Sequence, residues 1–282
     1  MNLVLVAHGT RKPAGVAMIA GLAERVGSLL NRTVRVTFVD VLGPTPGEIL
    51  ARAAGTGRPA IVMPAFLSRG YHVRADLPAH ILASGHPEVI VTPALGPSPQ
   101  IAELLAAGLA QAGWKPGDSV ILAAAGTSDP AARADLHLTT TMLSTLIGQP
   151  VELAFAAVGE PGVTDAVAAA RRGGTCRVVV ASYLLADGLF QQRLRTAGAD
   201  LVTEPLGTHT RIARLIADRF SQALLPSVDT DGAQGFLATV SRRAESSRAL
   251  TACAASGTTS RSPARPIHES SPAVNRTRPL ST

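Results

Sequence analysis

Residues 3–12, LVLVAHGTRK, and residues 61–78, IVMPAFLSRGYHVRADLP, decide how this chain is read. Each is a short run of aliphatic residues that breaks into polar, glycine-containing sequence. A single histidine follows each break, His8 in the first and His72 in the second. An apolar run of four to six residues bounded by Gly or Pro reads as a buried strand. Both histidines therefore fall at carboxyl ends of strands, where open parallel α/β sheets carry their ligands.

Outward from the first stretch, strand and helix alternate. The strand at 3–7 feeds a helix over about 15–30, in which Val16, Ile19, Ala23, Val26 and Leu30 recur at helical spacing. Further strands are expected at 34–39, 61–66 and 88–92. A short helix with Ile49 and Leu50 follows the second, and a helix through Ile101, Leu104, Leu105 and Leu109 follows the fourth. The SRGYHVRADLP segment reads as a loop before a helix towards Leu82. Four such alternations predict a parallel sheet wrapped by helices.

The pattern then repeats. HGTRKP (8–13) matches AGTSDP (125–130), PAFLSRGYH (64–72) matches SYLLADGLF (182–190), and TPALGPSPQIAELL (92–105) matches TEPLGTHTRIARLI (203–216). The expected architecture is two tandem flavodoxin-like α/β domains, residues 1–113 and 118–226, each a four-stranded parallel sheet flanked by helices. Residues 112–118 are the hinge. The second copy has Ala125 where the first has His8 and Phe190 where the first has His72, so the site is expected in the first copy alone. Residues 227–282 are rich in Ser, Thr, Ala, Arg and Pro, apart from FLATV at 236–240, and are expected to be mostly disordered.

Composition excludes several classes. The 282 residues carry a net charge of +6, but lysine occurs only at Lys12 and Lys115, and aromatic residues make up 3%. That balance offers no stacking platform for nucleic acid, and none is expected as a partner. The arginine surplus suits a ligand with many carboxylates. No uninterrupted apolar run reaches a membrane span, and no signal segment is read, so a cytoplasmic location is expected. Cys176 and Cys253 lie far apart and form no metal-ribbon or disulfide pattern, and Cys176 is expected to be a small buried hydrophobe. No phosphate-cradling glycine loop occurs, and no organic cofactor is expected.

With strand order 2-1-3-4, His8 and His72 project from neighbouring strand ends into one crevice, with Asp40 at the end of strand two beside them. Two imidazoles and a carboxylate suit a first-row divalent metal, and imidazoles also accept protons near neutral pH. Arg11, Arg69 and Arg74 ring the cluster as carboxylate forks. His80, His86, His137 and His268 are read as surface or packing residues. His209, in a strand-to-helix loop of the second copy, is placed within possible reach of the cleft.

At these residues the chain resembles a known family. VAHGTRKP, the FVD ending of strand two, PAFLSRGYHVRADLP and PALGPSPQIAELL look like the class II chelatases of the sirohydrochlorin type, over roughly residues 3–220. The resemblance implies insertion of Fe²⁺ or Co²⁺ into sirohydrochlorin, a metal-free tetrapyrrole with eight carboxylates. It implies His8 and His72 as metal ligands and proton acceptors. The acidic position near them, usually glutamate, is Asp40 here. Arg11, Arg69, Tyr71 and Arg74 are taken as the substrate-binding set. Iron is the preferred metal in this reading and cobalt the alternative. A non-catalytic metal or tetrapyrrole carrier is the competing class. A histidine phosphatase is disfavoured because Ala7 stands where an arginine would precede the histidine. Two fused copies already provide both walls of a cleft, which suits a monomer.

Overall fold

The protein was analysed as a computed structural model, which describes residues 1–225 and 238–239. Strand β1 (Asn2–Ala7) runs between β2 (Val34–Phe38) and β3 (Ala60–Pro64), with β4 (Val89–Val91) beyond β3, all parallel. In the second half β5 (Ser119–Gly126) lies between β6 (Val151–Val158) and β7 (Val178–Tyr183), with β8 (Leu201–Val202) outside β7. The strand orders, β2-β1-β3-β4 and β6-β5-β7-β8, are the same order twice. This is the tandem α/β architecture expected from the sequence.

The apolar runs make strands because both faces of each sheet are covered, so continuous hydrophobicity is required rather than alternation. Alternate β1 residues serve two cores. Val4 and Val6 pack outward with Leu50 of α2 (Pro46–Ala54) and Leu77 and Ile81 of α3 (Leu77–Ser84). Leu3, Leu5 and Ala7 point inward to Ile19, Leu22 and Val26 of α1 (Pro13–Leu30) and Leu105 of α4 (Pro99–Gln111). Val120, Leu122 and Ala124 of β5 belong to that same inner cluster. So do Leu136 and Leu143 of α5 (Pro130–Ile147) and Ile216 and Phe220 of α8 (Thr210–Leu224). The outer face of the second sheet is closed by α6 (Val163–Arg172) and α7 (Leu189–Arg195).

One core therefore passes through both halves. Within it α1 packs on α8 and α4 on α5. Duplication equates α1 with α5 and α4 with α8, so the two contacts are copies of each other. Helix α1 has the length and hydropathy of a membrane span, but Ile19, Leu22, Ala23 and Val26 are buried in this core.

Several details differ from the expectation. A two-residue strand, β9 (Ala238–Thr239), adds antiparallel to β4, which makes the first sheet five-stranded. It falls within FLATV, the one apolar stretch of its region. The expected disorder of the remaining tail concerns residues outside the described ones. Residues 72–76 are not loop but a π-helical turn, His72–Asp76, in which the Leu77 N–H donates to the His72 carbonyl, before α3. Cys176 is exposed, because β7 starts at Val178 and leaves it in the preceding turn. Cys253 lies outside the described residues.

Candidate active site

Strands β1 and β3 are hydrogen-bonded neighbours, and their carboxyl ends deliver the two histidines to one place. The imidazole rings of His8 and His72 stand edge to face, with centroids 4.7 Å apart and an interplanar angle of 88°. His8 is exposed and His72 half-buried. Phe66 stacks beside His72 at 6.1 Å, and Tyr71, 64% exposed, meets its edge at 5.8 Å.

The turn that presents His8 depends on a glycine. Gly9 has φ +101°, and a Cβ there would lie 2.1 Å from the Asp40 carbonyl oxygen. The Asp40 N–H donates to the His8 carbonyl at 3.0 Å, so the ends of β1 and β2 are tied through backbone. Gly126 repeats this in the second half, with φ +118° and a Cβ position 2.1 Å from the Val158 carbonyl. The second copy kept the turn and lost the imidazole.

Hydrogen bonds orient both rings. His72 Nδ1 lies 2.9 Å from Asp76 Oδ2, one helical turn along. An ionised carboxylate only accepts, so Nδ1 carries the hydrogen and the lone pair of the neutral ring is at Nε2. His8 Nδ1 faces the Gly9 carbonyl at 3.3 Å, a longer contact with the same consequence. Two ring nitrogens are thereby left without a hydrogen, one just past β1 and one on the turn after β3. Asp76 also has His80 Nε2 at 4.0 Å from its second oxygen. Asp76 lies in the PAFLSRGYHVRADLP motif beside the expected site residues and is not one of them. The His-x-x-x-Asp spacing on a helical segment could have identified it.

The remaining expected residues fall as follows. Asp40 is exposed at the end of β2, with its carboxylate accepting the Val41 N–H at 2.7 Å. Among the described residues no three His, Cys, Asp or Glu side chains converge to hold a metal, so Asp40 is not brought into a cage with the histidines. Its short side chain is engaged by its own turn. Arg69 is held by Asp135 on α5, through Nη2 at 2.6 Å and Nε at 3.0 Å. This pairing raises the Arg69 pKa above its ordinary value. Arg74 reaches Asp129, the N-cap of α5, at 3.3 Å. Arg11 is exposed. His209 caps α8, accepting the Arg211 N–H at 3.2 Å. His86 is buried, with Nδ1 accepting from Glu88 N–H.

The model of the CbiX family matches residues 2–112 and again 119–223. A protein named sirohydrochlorin cobaltochelatase, from Methanothermobacter thermautotrophicus, is 32% identical over 126 residues, covering 37% of this chain and 87% of its own. Among solved structures, SirB from Bacillus subtilis with Fe³⁺ aligns with a TM-score of 0.68 at 16% identity, over 79% of this chain and 95% of that one. The CbiX described as the terminal enzyme for siroheme biosynthesis in denitrifying bacteria aligns with a TM-score of 0.60 at 22% identity, over 80% of this chain and all of the other (100%).

Proposed function

The chain belongs to the CbiX family, and on that premise we propose that it is a chelatase inserting a divalent metal ion into sirohydrochlorin. The observation that carries this reading is the His8–His72 pair, two imidazoles with centroids 4.7 Å apart, one directly after β1 and the other on the π-helical turn that follows β3.

The reaction replaces two pyrrole N–H protons by one divalent cation. It needs a handle for the metal and a base for the protons on one face of the macrocycle. Two neutral imidazoles with free Nε2 atoms supply both. In this reading the incoming metal, itself a substrate, leaves the Nε2 lone pairs for the macrocycle, and each lone pair so vacated accepts one displaced pyrrole proton and passes it to solvent. Asp40, beside them on the β2 end, adds negative charge that draws the cation. In this reading Arg11, Tyr71 and Arg74 bind the rim of the tetrapyrrole, its carboxylates meeting the guanidinium forks and its edge the phenol hydroxyl. Arg69, 57% exposed on its side chain, commits one edge of its guanidinium to Asp135, and its outer edge is available to a substrate carboxylate.

The metal is Fe²⁺ or Co²⁺. Nitrogen and oxygen sites follow one affinity order for both, so the ligand set does not rank them. No organic cofactor is needed for a metal-for-proton exchange, and the protein would act in the cytoplasm.

The test is an anaerobic assay of purified protein with sirohydrochlorin and either metal, following the macrocycle absorption against a blank without protein. Turnover in the parent that is lost in His8→Ala and His72→Ala supports the chelatase. Parent rates equal to the blank reject it.

A further inference from the structure

The loop that carries His72 is held from the other half of the molecule. Two side chains of the second half reach residues 67–69. Tyr183, the last residue of β7, donates its hydroxyl to the Leu67 carbonyl at 2.6 Å across 116 residues of sequence. Asp135, on α5, accepts the Arg69 backbone N–H at 2.8 Å as well as the guanidinium. Both are buried, with 3% of Tyr183 and 2% of the Asp135 side chain exposed. They are also linked to each other. Thr139 Oγ1 donates to the Asp135 carbonyl and lies 3.3 Å from the Tyr183 hydroxyl.

A buried carboxylate and a buried phenol are costly unless their hydrogen bonds are made. Here those bonds end on the backbone three to five residues before His72. Burial raises the Tyr183 pKa, so the hydroxyl remains a donor across the working pH range.

The arrangement is one-sided. In the matched stretches PAFLSRGYH and SYLLADGLF, Tyr183 aligns with Ala65. Extending the match of HGTRKP to AGTSDP along the helices aligns Asp135 with Met18. The glycines confirm this exchange. A Cβ on Gly96 would meet the Leu67 carbonyl and the Tyr183 hydroxyl, whereas one on Gly207 would meet the Leu185 carbonyl and the Met18 sulfur. The loop lacking a histidine is packed by a thioether, and the loop bearing His72 is gripped by hydrogen bonds.

We propose that Asp135 and Tyr183 are positioning residues that fix residues 67–69 and thereby set His72 against His8, so that these two buried side chains of the second half serve the chemistry without themselves contacting metal or tetrapyrrole. This rests on the chelatase reading for its turnover arm and on the histidine pair alone for its binding arm.

The experiment uses the full chain with Tyr183→Phe and Asp135→Asn. Each variant is first checked for a cooperative thermal transition, and then assayed for kcat, for KM of sirohydrochlorin, and for Co²⁺ affinity without tetrapyrrole by visible absorption. Displacement of a catalytic group by about 1 Å costs up to roughly a hundred-fold in rate. We expect kcat to fall at least about ten-fold and Co²⁺ affinity to fall in parallel in both variants, with KM moving less than about two-fold in Tyr183→Phe, which leaves the Arg69 guanidinium paired. A purely structural role would lower the melting temperature and leave kcat per folded molecule and Co²⁺ affinity at parental values, and that result overturns the proposal. Tyr183→Phe removes one oxygen from a buried ring and decides the matter if Asp135→Asn does not fold. If the parent shows no turnover, the chelatase reading fails while the Co²⁺ titration still tests the grip on His72.

Discussion

His72 and Asp76 are joined at 2.9 Å within one π-helical turn, so the ring that faces His8 has its tautomer set by its own segment. A carboxylate behind a metal-binding imidazole fixes ring orientation and raises basicity. Asp76→Ala is therefore expected to lower turnover by about ten- to a hundred-fold, with the fold intact by circular dichroism. Asp76→Asn, which retains an acceptor oxygen, should lose less. Equal activity in parent and Asp76→Ala would show that the ring is oriented by its aromatic neighbours instead.

The two cross-half arginines should separate in a stability measurement. Arg69→Ala leaves the Asp135 carboxylate buried without its partner. Loss of a partner to a buried charge costs about 3–5 kcal/mol when both groups are buried. Arg69 is 57% exposed, so solvent screening reduces the expected loss to about 1–3 kcal/mol. Arg74→Ala breaks a pair whose arginine is 58% exposed and should cost at most about 1 kcal/mol. Urea titrations of both variants check the order.

Gly9→Ala and Gly126→Ala impose the same clash in the two halves. Each forces a Cβ against a carbonyl oxygen at positive φ and should lower stability by about 1–3 kcal/mol. Only Gly9→Ala should also reduce turnover per folded molecule, because only that turn ends in a histidine. Thermal melts paired with the anaerobic assay make the comparison.

A single core predicts a single unfolding transition. Leu105→Ala and Leu122→Ala, one in each half, should each cost about 2–5 kcal/mol and shift one common transition rather than splitting it. Differential scanning calorimetry resolving two independent transitions in either variant would contradict a shared core.

Glu48 and Tyr183 each contribute to the pH dependence of stability. Glu48 accepts the Thr45 backbone N–H at 2.8 Å, which holds its pKa below the ordinary 4.5. A depressed carboxylate contributes stability above its unfolded value, and that contribution is lost as pH falls through its folded value. The melting temperature should thus drop below about pH 4.5, and less steeply in Glu48→Gln. Tyr183 behaves in the opposite sense. Its pKa is raised from 10 by burial, so the unfolded chain ionises first and stability falls above about pH 10. Tyr183→Phe should flatten that alkaline limb.

The strand order, the duplication and the two histidines at neighbouring strand ends were legible in the sequence. Apolar run length, helical periodicity and glycine breaks are local signals, and taking the sheet as flavodoxin-like converts them into the order 2-1-3-4. The two halves also differ at the matched positions of His8 and His72, which located the site in the first. Asp76 lay within the same local reach, four residues from His72. The partners of Arg69 and of the Leu67 carbonyl did not, because Asp135 and Tyr183 are 66 and 116 residues away. Neither residue carries a local signal that points to the first half. Only the packing of the second half against the first turns them inward, where burial confines their polar atoms to partners on residues 67–69 and on Thr139. Tertiary structure thus decided what the silent copy contributes.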